Sequence, residues 1–97
     1  MGLKYSVDLL PDTEIGGFSV HVRDMSSAFS QGESREEALE MALSVFLDLL
    51  DLNYFENRLL RPVPLPSLFE GDDYIEIPDD ITHKIMDYNA RLGTFVL

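Results

Sequence analysis

The sequence predicts an α+β fold in the order β-β-β-α-β-α, and three observations carry that expectation. Short alternating stretches fill the first third of the chain, the period turns helical at Ser34, and a second helical period follows a proline-rich segment. Ninety-seven residues suit one domain, 1–97, built around a single small core. Leu3, Tyr5, Val7 and Leu9 alternate with Lys4, Ser6 and Asp8, the pattern of a half-buried strand that stops at Pro11. The run Pro11-Asp12-Thr13-Glu14-Ile15-Gly16-Gly17 supplies the fixed and positive φ angles of a hairpin loop. Phe18, Val20 and Val22 alternate in a second strand, and Ala28-Phe29-Ser30-Gln31 follows as a short third. Tight connections between the three imply an antiparallel meander.

Ser34-Arg35-Glu36-Glu37 is a capping box, so a long helix is expected from there to Tyr54–Asn57. Glu37, Glu40, Ser44, Asp48 and Asp51 form its wet stripe. Ala38, Met41, Ala42, Val45, Phe46, Leu49 and Leu52 form a wide apolar sector, with Leu47 and Leu50 toward its edges. Pro62, Pro64 and Pro66 lock an extended strap across the surface. A further short strand, Tyr74-Ile75-Glu76-Ile77, precedes a second, short helix. That helix starts at Pro78-Asp79-Asp80, carries Ile81, Ile85, Tyr88 and Leu92 on one side, and is expected to end at Gly93. The apolar ending Thr94–Leu97 needs something to dock on.

Charge narrows the function classes. Eighteen acids oppose seven bases for a net charge of -11, and the bases are scattered singly, so the chain offers no basic face for nucleic acid. No window is apolar enough to span a membrane, and the N-terminus has no signal-peptide core, which points to a cytoplasmic protein. The absence of cysteine excludes disulfides, thiolate metal sites and a Cys nucleophile. His21 and His83 have no partner at metal-ligand spacing and read as surface or interface residues. No catalytic, cofactor or metal site is predicted. The sharpest charge feature is Glu70, Asp72, Asp73, Glu76, Asp79 and Asp80, six acids in eleven residues with no base among them. Asp79 and Asp80 are explained as cap and first-turn acids of the second helix. Glu70, Asp72, Asp73 and Glu76 have no such explanation and are the candidates for binding a partner.

Several segments, in order, carry a resemblance. Gly16-Gly17-Phe18-Ser19-Val20, Ala28-Phe29-Ser30-Gln31-Gly32-Glu33-Ser34, Glu36-Glu37-Ala38-Leu39, Pro62-Val63-Pro64-Leu65-Pro66-Ser67 and Tyr74-Ile75-Glu76-Ile77-Pro78 together resemble the N-terminal domain of HicB-type antitoxins. The resemblance implies a partial ribonuclease-H-like fold, a three-stranded antiparallel sheet with a packed helix and a further strand. It also implies a partner, a small basic RNA-cleaving toxin of the HicA type, and a DNA-binding domain beyond Leu97 in longer members, so direct DNA binding is not expected of this chain. Inhibition without catalysis is the expected activity. An orphan regulatory or structural oligomer is the alternative. A metal-dependent ribonuclease-H-like nuclease is a further one, for which Asp8 with Glu40 or Asp48 are the only positional candidates. The long helix has more apolar surface than three strands can cover, so a homo-oligomer, dimer or tetramer, is also expected.

Overall fold

The computed structural model describes residues 2–56, 61–67 and 71–96. Strands β1 (Lys4–Pro11), β2 (Phe18–Val22) and β3 (Phe29–Gly32) lead into helix α1 (Arg35–Leu50), which a π-helical turn, Asp51–Phe55, extends. Strand β4 (Asp73–Glu76) and helix α2 (Asp79–Val96) complete the order. The α+β class and the β-β-β-α-β-α order are as the sequence predicts. The fourth strand joins the meander instead of standing apart, giving one antiparallel sheet in the order β3-β2-β1-β4.

Local chemistry sets the turns. Asp12 Oδ1 accepts the N–H groups of Glu14 and Ile15 at 3.0 and 3.2 Å, and the hairpin loop closes through Gly16 and Gly17, both at φ 79°. Gly17 is doubly constrained, since a Cβ there would stand 2.5 Å from Gly32 O. At the helix start the Ser34 hydroxyl accepts the Glu37 N–H at 3.1 Å, as a capping box requires. The return bond lands one residue earlier than expected, from the Glu33 N–H to Glu37 Oε1 at 3.2 Å.

Alternation sorts the sheet residues. Tyr5, Val7, Val20, Val22 and Ile75 are buried with Ala38, Ala42, Phe46 and Leu50 of α1, and the Tyr5 and Phe46 rings meet at 4.6 Å. Each fully buried large side chain contributes about 1.5–3 kcal/mol. The wet stripe of α1 is exposed as predicted, but its apolar sector is narrower and rotated. Met41 and Leu52 are exposed, whereas Leu50 is buried. The buried residues recur every fourth position from Ala38 to Tyr54, because the sheet lies on one side of the helix only.

The proline segment is a strap held by side chains. Tyr5 Oη donates to Pro64 O at 2.7 Å, Tyr88 Oη donates to Arg61 O at 2.9 Å, and Asn89 both donates to Val63 O and accepts its N–H, at 3.0 and 2.8 Å. Asp24 receives the N–H and hydroxyl of Ser67 at 3.0 and 2.7 Å. Val63 is thereby buried.

Helix α2 overturns one expectation. Gly93 does not end it, and at 18 residues it is longer than α1. Gly93 is not among the glycines with positive φ, so it makes no C-terminal cap. A lone glycine costs a helix only about 1 kcal/mol, and Leu92 beside it is anchored by burial. Ile85 is fully buried, and Tyr88 meets Tyr54 and Phe55 edge-on at 6.4 and 5.5 Å.

Candidate protein interface

The acid-rich segment becomes the β4 side of the sheet. Glu70 lies outside the described residues, and the other three candidates receive different environments. Asp72 precedes the strand and turns inward: its Oδ2 accepts the hydroxyl of fully buried Ser6 at 2.8 Å and Arg23 Nη1 at 3.0 Å. The other arm of Arg23 donates to Asp8 Oδ1 at 2.9 Å. This guanidinium therefore bridges two carboxylates, and its pKa rises through the Asp8 hydrogen bond and the charges of Asp72 and Asp8. Asp73 pairs with Arg35 at the start of α1. Glu76 is exposed and lies opposite Lys4 of β1, but it forms no ion pair with a described residue.

Backbone geometry adds what side chains alone do not show. The Ile77 N–H donates to Leu3 O at 2.8 Å, and Arg23 N–H donates to Ser6 O at 3.0 Å. Hydrogen-bonded pairs alternate along an antiparallel ladder, so Tyr5 with Ile75 and Val7 with Asp73 are the bonded pairs between β1 and β4. The N–H and C=O groups of Tyr74 and Glu76 then point to the open edge.

A groove follows that edge. Leu39, Glu40 and Leu43 of α1 face Tyr74, Ile75 and Glu76 across a concavity of about 200 Å³. A larger one, roughly 610 Å³, continues from Leu39 and Tyr74 to Arg35 and Gly71. Sequence reasoning placed Glu40 on the wet stripe and missed that it shares this groove with Glu76, because the pairing of β4 with β1 is a tertiary fact.

The remaining candidates are dispersed. Asp8 projects beside Arg23 on the sheet face opposite α1, while Glu40 and Asp48 are exposed on α1, so the three do not converge. Among the described residues no group of three or more His, Asp or Glu side chains could hold a metal ion. His21 stacks on Phe29 at 4.3 Å and its Nε2 donates to Ser26 O at 3.3 Å, which explains it as a strand-surface residue. His83 is exposed on α2. No helix among the described residues is long and apolar enough to cross a membrane.

Residues 4–86 match the family described as HicB-like antitoxin of bacterial toxin–antitoxin system. The chain belongs to the HicB-like antitoxin family. It is 39% identical over 92 residues to "Antitoxin HicB 1" of Photorhabdus laumondii, covering 95% of this chain and 56% of that protein. It is 39% identical over 90 residues to "Antitoxin HicB" of Escherichia coli K12, covering 93% and 63%. "Antitoxin HicB 2" of Photorhabdus laumondii matches at 37% over 78 residues, 80% of this chain and 53% of that one. The chain thus spans little more than half the length of these relatives. The matched range contains both the meander with its Gly-Gly hairpin and the acid-bearing β4 edge.

Proposed function

We propose that this chain is the toxin-binding part of a HicB-type antitoxin, acting in the cytoplasm by stoichiometric inhibition and not by turnover. Its partner is a small basic RNA-cleaving toxin of the HicA type, whose access to RNA it blocks sterically and electrostatically. Of the candidate acids Glu70, Asp72, Asp73 and Glu76, exposed Glu76 contacts that partner directly, while the others add to the negative field that attracts it. The observation that carries this reading is the acidic β4 edge in a member of an antitoxin family: exposed Glu40 and Glu76 line a groove that also offers apolar anchors. Apolar anchors supply affinity, while opposite fields raise the association rate and set specificity.

Co-purification with a catalytically inactive form of a small basic HicA-type toxin tests the reading, and a stable stoichiometric complex is expected. Replacing Glu70, Asp72, Asp73 and Glu76 together by their amides should slow association at low salt and leave it nearly unchanged at high salt. If the on-rate at low salt is unaltered, the assignment of these four acids is wrong.

Self-association belongs to the same proposal. Leu10 and Phe29, each 63% exposed, lie together on the sheet face opposite α1 and support a homo-oligomer. Light scattering over a concentration series is expected to show a dimer or tetramer.

A further inference from the structure

Building on the antitoxin reading, we infer that the toxin docks by strand addition: an extended segment of it, alternately basic and apolar, pairs with the open edge of β4. Three independent features of the structure converge on this mode. The first is the backbone. The outward N–H and C=O groups of Tyr74 and Glu76 have no partner among the described residues, since β1 uses those of Asp73 and Ile75. An edge of this kind is a template for one more strand.

The second feature is the groove. Ile75 points to the α1 side and is buried, and Leu39 and Leu43 stand beside it as an apolar trough. Tyr74 and Glu76 point to the other side of the sheet. A fifth strand would alternate in the same way, so every second side chain would enter the trough and the ones between would stand beside Tyr74 and Glu76. The first set must be apolar.

Charge fixes the second set and chooses the occupant. Glu40 and Glu76 flank the trough without an ion-pair partner among the described residues. Lys4, opposite Glu76 on β1, is drawn over the Tyr74 ring, 5.1 Å from its centroid, and does not pair with Glu76. Lys or Arg in the second set would pair with Glu76, and one at the α1 rim of the trough with Glu40. A second copy of this chain fits badly. Antiparallel pairing of β4 with its own copy joins two chains of net charge -11 and gathers Glu40 and Glu76 of both copies along one seam.

Hydrogen exchange on this chain, free and bound to the inactive toxin, tests the mode directly. The Tyr74 and Glu76 amides should exchange rapidly in the free chain and become protected in the complex, while Ile75 is protected in both. Glu76→Pro removes an outward N–H that the β1 ladder does not use, and edge strands tolerate proline. It should retain the circular dichroism spectrum and the Ile75 protection yet weaken toxin binding by at least about tenfold, the equivalent of one hydrogen bond. Glu76→Gln keeps the N–H and should alter mainly the association rate. A tight wild-type complex in which Tyr74 and Glu76 exchange as fast as in the free chain would overturn strand addition and leave the antitoxin reading standing. Failure of the wild-type chain to bind the toxin at all would overturn both.

Discussion

The two outer strands of the sheet differ in how they are held and in what they offer. β3 carries Phe29, Ser30, Gln31 and Gly32, none of them charged, and is fixed by close approach: a Cβ on Gly32 would stand 2.4 Å from Ala38 N of α1. Its Phe29 N–H is already engaged by Ser27 O at 3.2 Å. β4 is held through polar contacts at its approach, where Asp72 ties down Ser6 and Arg23 and where Asp73 pairs with Arg35. Among the described residues its outward groups have no partner. Steric fit against α1 positions one outer strand and polar bonds position the other, and it is the β4 edge that adds an apolar trough flanked by Glu40 and Glu76. The β3 side still has a concavity of roughly 650 Å³, between the hairpin loop and α1, bordered by Ile15, Phe18, Met41 and the acids Asp12, Glu33 and Glu37. Two of those acids are committed to capping, Asp12 in the loop and Glu37 at the helix start.

The contrast can be broken from either side. The largest effect is expected from Gly32→Val, which forces β3 away from α1 and should cost about 3 kcal/mol in urea unfolding, an overpacking penalty. Asp72→Ala comes next. It removes the carboxylate that receives the buried Ser6 hydroxyl and should cost about 1–3 kcal/mol, with Asp72→Asn milder because an amide oxygen can still accept. Tyr5→Phe should cost about 1 kcal/mol through the lost bond to Pro64 O. It should also change the alkaline limb. Burial, followed by the charge of Asp24, pushes the Tyr5 phenol above its ordinary value of 10.0, so the unfolded chain loses this proton first. Its contribution is complete below about pH 10 and is lost as pH rises further, a slope that the phenylalanine variant should lack. The smallest effect is expected from Glu76→Gln. Stability should stay within about 0.5 kcal/mol, and only toxin association at low salt should slow.

Much of this architecture is legible in the residues themselves because its causes are local. Alternation in Leu3–Leu10 and Phe18–Val22, the Asp12 and Gly-Gly turn chemistry, the Ser34 cap and the proline strap each depend on a few neighbours along the chain. The boundaries that failed depend on distant ones. Gly93 carries a stop signal that Leu92 burial outweighs, and the exposure of Met41 and Leu52 follows from where the sheet lies under α1.

The candidate interface divides along the same line. Local sequence identifies the acids, their freedom from neighbouring bases and the short strand between them. Only the tertiary structure decides that β4 pairs with β1, which turns Asp72 inward to Ser6, gives Asp73 to Arg35 and leaves Glu76 outside beside Glu40. Composition sets the sign of the charge, because every carboxylate contributes wherever it stands. Long-range strand pairing decides which of those charges is spent inside the fold and which remains for a partner, because register assigns each side chain and each backbone group to one side of the strand.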